Sequence, residues 1–355
     1  MTRIEKILAK ACLAPNEAML ISKPANMFYA SGYTGEGIAL IADGLCAIVT
    51  DFRYTEQVTR QSDSFSAHEV KTGQSHYALA YELLKGKNIT HVRFEADKVT
   101  VASFERMKKD MPGMEFSPLK GEIEQVRQIK DEGEIALIEQ ACDISCQAFE
   151  KILPLIKEGV SETDLRIALD FELLRCGGDG LAFDTIIASG ENGSLCHAVP
   201  GKRTFKKGDL ITMDFGAKKG GYCADMTRTV ALGKPSAEME KIYGIVLQAQ
   251  LAAQDALHAG LKGCDVDKIA RDIIDNAGYK GCFGHGLGHS VGIDIHENPR
   301  LSSLCYDVLE ENVTMTVEPG IYVAGLGGVR IENTCLIGKE HSRSLVSAPR
   351  ELLIL

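Results

Sequence analysis

The chain has 355 residues, 45% apolar and 25% charged, with a formal net charge of −10. The length suits two ordinary domains of a globular protein, while the acidic balance argues against a nucleic-acid surface and no apolar run is long enough to span a bilayer. The eleven cysteines are odd in number and scattered, with no CxxC pair; they read as reduced thiols and place the chain in the cytoplasm.

The first segment, MTRIEKILAKACLAPNE, predicts a short amphipathic helix and lacks the apolar core of a signal peptide. IALIADG and LCAIVTDFRY predict two strands of a hairpin turning near Asp43-Gly44. A helix is expected over SHYALAYELLKG, a strand over THVRFEAD and a helix over VASFERMKKDM. This is an α/β domain with no metal-ligand or nucleophile constellation. The charged stretch from Lys120 to Glu134 has no fixed apolar face, and it divides the chain into domains over 1–122 and 123–355.

The second domain begins with a long amphipathic helix carrying Ile135, Ile138, Ala141, Ile144 and Ala148 at helical spacing. A faint internal repeat follows. A shift of 101 residues superimposes Gly159 on Gly260, Asp164 on Asp265 and Gly177 on Gly278. Each copy predicts a long helix, a loop, and a second helix capped by Ser161 or by Cys264-Asp265 and ended by glycine. Each then runs into a β-rich segment bearing two carboxylates, so duplication would set the two acid pairs face to face. The fold class expected is α+β, with an α/β domain followed by a duplicated α–β domain.

Those carboxylates are the strongest chemical signal. Asp214 lies on LITMDFGA and Asp225 on YCADMTRTVAL, separated by the turn signal AKKGG. A turn centred on Lys219-Gly220 would oppose the two acids directly, with Cβ atoms about 5 Å apart. Uncompensated, such a pair destabilises a hairpin; two cations roughly 3.5–4 Å apart would favour it. Glu318 in TMTVEPGIYV and Glu332 in GGVRIENT flank a second glycine-rich turn, and Arg330 shares the face of Glu332. The bland alternatives are exposed strand acids and a structural Arg–Glu pair.

His285, His289 and His296 fall within FGHGLGHSVGIDIHENPR, where the glycines forbid the helical HExxH arrangement of a zinc protease. His197, in SGENGSLCHAVP, is a loop candidate for contact with substrate. Four carboxylates with one imidazole form a hard donor set that best suits Mn²⁺, with Co²⁺, Fe²⁺ or Zn²⁺ as alternatives. Two such cations would cancel the four negative charges and acidify a shared water.

Taken in order, MDFGA, ADMTRT, GHGLGHSVG, VEPG and RIENT resemble the pita-bread metallopeptidases: methionine aminopeptidase, aminopeptidase P and prolidase. The resemblance covers the second domain and extends to the first through NMFYASGYTGEG and VTDFRYTEQ, which look like the creatinase-like N-terminal domain of the prolidase and aminopeptidase P branch. It implies a pita-bread catalytic domain in which Asp214, Asp225, His289, Glu318 and Glu332 hold two metals. Asp225 and Glu332 match bridging or chelating positions, and Glu318 matches a proton shuttle. His197 and His296 match residues that hold the substrate carbonyl, and His285 matches a supporting histidine. Arg330 matches an arginine beside the metal glutamate, and Phe183, in LAFDTIIASG, an apolar wall for the proline ring. Arg300, in HENPR, matches the prolidase residue that holds the free carboxylate of a dipeptide; its other reading is a surface arginine closing a turn.

The implied activity is hydrolysis of the Xaa-Pro bond in dipeptides, with Xaa-Pro aminopeptidase action on longer peptides left open. A homodimer is implied by the same resemblance. A metal-free creatinase-type hydrolase would replace the metal ligands, and a non-catalytic binding homologue would erode them. This chain keeps all five.

Overall fold

Helix α1 (Arg3–Ala11) is closed at its start by a capping box: the Thr2 hydroxyl accepts from the Glu5 N–H and the Glu5 carboxylate accepts from the Thr2 N–H. The computed structural model describes every residue from Met1 to Leu355, and the chain divides into two units, Met1–Arg127 and Gln128–Leu355. The division falls a little after residue 122, because part of the charged stretch read as a boundary folds as a helix. No helix is long and apolar enough to cross a membrane.

The first unit continues with β1 (Glu17–Ile21), α2 (Pro24–Ser31), β2 (Ile38–Ala42), β3 (Leu45–Thr50), α3 (Thr55–Gln61) and β4 (Ser66–Glu69). It ends with α4 (His76–Lys85), β5 (His91–Phe94), α5 (Val101–Asp110), β6 (Glu115–Pro118) and α6 (Glu122–Gln128). The strands form one mixed sheet in the order β4-β3-β2-β1-β5-β6. The β2–β3 hairpin pairs Ala42 with Leu45 around Asp43-Gly44, as its sequence implies. Strand β1 is antiparallel to β2 and parallel to β5. Leu20, Leu40, Val49 and Val92 bury the sheet against Leu84 and Met107.

The second unit opens with α7 (Glu132–Ile152) and α8 (Glu162–Arg175), then β7 (Gly180–Leu181), β8 (Ile186–Ser189), β9 (Leu210–Phe215), β10 (Ala217–Lys219), β11 (Tyr222–Cys223) and β12 (Met226–Ala231). Helices α9 (Ala237–Ala256) and α10 (Gly263–Ile274) precede β13 (Gly288–Ser290), β14 (Glu297–Leu301), β15 (Thr314–Val317), β16 (Gly320–Val323), β17 (Gly327–Arg330), β18 (Asn333–Ile337) and β19 (Ser342–Ser344). The repeat is visible: β8, β9 and β12 follow the first helix pair, and β13, β15 and β18 follow the second, each set antiparallel. Isolated bridges Ser161–Thr204 and Lys262–Val308 recur at matching points, and Gly177 and Gly278 both have positive φ. The caps differ. Ser161 caps α8 with its hydroxyl, whereas α10 starts after Lys262 with no side-chain cap, so the cap expected at Cys264-Asp265 is absent.

The first acid hairpin is offset from the expected register. Lys219 pairs with Tyr222, and Asp214 faces Thr227 rather than Asp225. Gly220 and Gly221 both sit at positive φ, 54° and 87°, so the tight turn takes both glycines and moves the register by two. Asp214 and Asp225 are therefore diagonal neighbours on one face. In the second hairpin Val317 pairs with Asn333 and Gly320 with Arg330, so one register places Glu318 directly opposite Glu332.

Candidate metal centre

The two hairpins are joined through threonines. Thr229 Oγ1 donates to Arg330 O at 2.9 Å, Thr334 Oγ1 to Asp225 O at 2.8 Å, and the Glu332 N–H to Thr227 O at 3.1 Å. Arg228, only 1% exposed, strengthens the seam by donating to the carbonyls of Thr227, Glu332, Ala348 and Pro349 and to Asn333 Oδ1. Four acids from distant stretches are thereby held in one buried place.

Ligand atoms of Asp225, His289 and Glu332 all lie within 4.8 Å of one another. His289 Nε2 is 3.5 Å from Asp225 Oδ2 and 3.4 Å from Glu318 Oε1. Its Nδ1 faces Ser290 O at 3.1 Å; donating there fixes the tautomer that leaves the Nε2 lone pair aimed at the acids. Burial holds His289 neutral, with its pKa lowered to about 3. Burial, then repulsion from neighbouring carboxylates, raises Asp225 and Glu332 well above the usual carboxylate range, and burial raises Glu318 to about 8.

These residues fit a pair of divalent cations. Asp214 Oδ1 and Glu332 Oε1 are buried polar atoms without a hydrogen-bond partner, a costly state unless something positive meets them. In each residue the second oxygen is already held: Asp214 Oδ2 accepts from Arg330 Nη2 at 2.7 Å, and Glu332 Oε2 accepts from Thr227 Oγ1 at 2.6 Å. One oxygen oriented by a donor and one left open is the outer-shell arrangement of a carboxylate ligand. Arg330 does not take the cation position, because Nη1 is committed to Tyr322 Oη at 3.0 Å and Cys196 O at 3.3 Å, and Nε to Thr227 Oγ1 at 3.1 Å.

A cavity of about 340 Å³ opens over this cluster. The four acids and the imidazole just described line it together with Arg330, and so do His197, His285, His296, Phe183 and Arg300. The His289 and His296 rings meet edge to face at 4.4 Å. Strand β14, with His296 just before it and Arg300 on it, is set by a bulge between His289 and Ser290 that pairs Ser290 with Glu297. The buried Lys130 ammonium donates to Ser290 Oγ at 3.0 Å and lies 3.3 Å from Glu297, pinning that bulge. Ile186, Ile295 and Ser302 also line the cavity but have no sequence pattern that marks them.

Two residues that support the site carry no distinctive mark in the sequence. Tyr322 accepts from Arg330 and donates to His285 Nε2 at 2.9 Å, while His285 Nδ1 donates to Gly286 O at 2.8 Å. Burial lowers the His285 pKa to about 4, so this is a neutral ring with a fixed tautomer. Gly320 makes room for the phenol, since a Cβ there would lie 2.5 Å from Tyr322 Oη. Thr227 is the other, and its only sequence signal is a place two residues beyond Asp225.

Known proteins resemble this chain along its whole length. Residues 136–339 match the model of Metallopeptidase family M24, and residues 3–129 match the Creatinase/Prolidase N-terminal domain. The Xaa-Pro dipeptidase of Pyrococcus horikoshii is 34% identical over 354 residues, covering 99% of this chain and 98% of its own. Among solved structures, an Xaa-Pro dipeptidase from Bacillus anthracis superposes with a TM-score of 0.96 at 37% identity, covering 99% of both chains. An X-Pro aminopeptidase from Thermotoga maritima superposes at 0.92 and 36%, covering 98% of this chain and 100% of its own. A duplicated fold that converges four acids and a neutral imidazole, matched over both units, places the chain in metallopeptidase family M24, as a metal-dependent peptidase with a creatinase-like N-terminal domain.

Proposed function

We propose that this enzyme hydrolyses the imide bond before proline in Xaa-Pro dipeptides, with two divalent cations held by Asp214, Asp225, His289, Glu318 and Glu332. Asp225 and Glu332, the most enclosed of the four acids, would hold the cations from the buried side of the cavity. The predominance of carboxylate donors favours Mn²⁺ over Co²⁺, Fe²⁺ or Zn²⁺. Bound there, the cations supply charge neutralisation, polarisation of the scissile carbonyl and an acidified water.

The remaining roles fall to the chain. Glu318 accepts a proton from the attacking water and returns it to the departing proline nitrogen. His197 and His296 donate to the substrate carbonyl as negative charge develops on its oxygen. The Arg330–Tyr322–His285 chain keeps His285 in one tautomer beside the site. Phe183 walls the proline ring, and Arg300 binds the free carboxylate of the dipeptide. A cytoplasmic homodimer completes the reading, checked by sedimentation and cell fractionation.

The observation that carries this proposal is the pair of buried, unpartnered oxygens Asp214 Oδ1 and Glu332 Oε1, on two acids that line one cavity with His289. Metal analysis followed by assay with alanyl-proline and an alanyl-prolyl-alanine tripeptide tests it. Two metals per chain and strong preference for the dipeptide, lost in Arg300→Met, are expected. Equal or faster cleavage of the tripeptide would assign Xaa-Pro aminopeptidase action instead, and no bound metal would reject the mechanism.

A further inference from the structure

The loop that carries His197 runs from the end of β8 to residue 201, and little apolar burial holds it in shape. Its larger apolar side chains, Leu195 and Val199, are 59% and 87% exposed. Yet it must deliver His197 into the cavity. Part of the solution is close backbone approach: a Cβ on Gly328 would sit 2.1 Å from Gly193 O, so two glycines let the loop lie against β17. Arg330 Nη1 adds one bond to Cys196 O.

The stem of the loop is held by a single carboxylate. Glu162, in the first turn of α8, is 1% exposed. Its Oε1 accepts from the Ser189 N–H at 2.8 Å, Ser189 Oγ at 2.7 Å and Asn192 Nδ2 at 3.1 Å. Its Oε2 accepts from Asn192 Nδ2 at 3.2 Å and the Gly201 N–H at 3.1 Å. Ser189 and Asn192 lie on the incoming side and Gly201 on the outgoing side, so both ends of the loop close on one side chain. The first turn of a helix also favours a negative charge. The next residue repeats the tie, since Thr163 Oγ1 donates to Gly201 O at 2.9 Å.

The second half of the duplicated unit has a comparable device. Asp267 on α10, also 1% exposed, accepts the Leu287 N–H at 3.0 Å and holds Arg271, which donates to His285 O at 2.9 Å. A buried acid on the second helix of each half thus fastens a segment bearing a cavity histidine.

We propose that Glu162 is a positioning residue for the peptidase reaction, acting through the loop to set His197. This rests on the Xaa-Pro reading for its kinetic arm only. The full-length protein loaded with Mn²⁺ is compared with Glu162→Gln, His197→Ala and the double variant, using alanyl-proline. Glu162→Gln is expected to lower kcat at least tenfold with metal stoichiometry unchanged. In the His197→Ala background it should cost less than twofold more. Equal losses in both backgrounds, or wild-type kcat in Glu162→Gln, would overturn the proposal.

Hydrogen exchange of residues 190–201 gives an arm independent of substrate. Glu162→Gln should speed exchange there at least tenfold while β9 and β12 keep wild-type protection. Unchanged loop exchange, or equal acceleration across both strands, would also defeat the proposal. If alanyl-proline is not cleaved by the wild type, the substrate reading fails and the exchange result still decides Glu162. Should Glu162→Gln not fold, Ser189→Ala and Asn192→Ala each remove one or more donors from the carboxylate and should move loop exchange and kcat in the same direction.

Discussion

Thr227 and Glu332 hold each other twice: the threonine hydroxyl donates to Glu332 Oε2 at 2.6 Å, and the Glu332 N–H donates to Thr227 O at 3.1 Å. The first bond aims the carboxylate and the second fixes the strand that bears it. Thr227→Val keeps the shape and removes only the hydroxyl. Mn²⁺ affinity should fall by about 10–100-fold, as is usual when the support of a metal ligand is lost. Calorimetric titration with Mn²⁺ measures it, and wild-type affinity would show that Glu332 needs no such support.

Asp225→Asn removes one charge from the most crowded acid position. The variant should fold, bind less metal and lose activity. Without metal, at pH 8, it should melt no lower than the wild type, because a neutral amide relieves the crowding of buried acids that raises the Asp225 pKa. Full metal-dependent turnover would show that Asp225 is not a ligand.

Removing the metal brings out the titration of the cluster. Asp225, Glu332 and Glu318 have raised pKa values, so the folded chain holds protons that the unfolded chain has released. Their contribution to stability is complete below the ordinary carboxylate range and declines as pH climbs toward the folded values, about 8 for Glu318. His285 and His289 have lowered values and act in the opposite sense, but only below their ordinary 6.5. Between about pH 6.5 and 8 the acids act alone, and the melting temperature of the chelator-treated protein should fall. A rise over that interval would contradict the assignment.

Tyr322→Phe leaves His285 Nε2 without its donor and Arg330 without one acceptor. Activity should drop by about tenfold to a hundredfold with metal content retained. Comparing kcat with bound metal separates this from a lost ligand.

Arg228 makes no close contact with a carboxylate, and burial lowers its pKa to about 10. Arg228→Leu would strand four carbonyls and an amide oxygen. Stability should fall by about 3 kcal/mol or more, read from urea unfolding of the metal-loaded protein.

Most of the architecture was legible because it is local. Asp43-Gly44 announces a hairpin, and Ser75 and Thr100 cap the helices expected after them. The cavity residues were legible through their setting, with acids and histidines placed among glycines and apolar strands. The register of the first acid hairpin was not, because AKKGG allows more than one tight turn and only the backbone angles of Gly220 and Gly221 choose between them. Strand β1 is a mostly apolar run of only five residues, and its pairing with β2 on one side and β5 on the other exists only in the fold. Arg228, Glu162 and Tyr322 are ordinary in sequence; their partners lie at Ala348, Gly201 and Arg330, and only folding brings them near.

The seam also dictates an order of assembly. Arg228 reaches Ala348 and Pro349, and Ala231 and Gly233 donate to Leu353 and Leu355, so β12 borrows its outer edge from residues synthesised long after it. A nascent chain whose residues 348–355 are still in the ribosomal tunnel lacks that edge. The first unit can fold as it emerges, but the peptidase unit must wait for residues 348–355 before its reaction chamber is whole.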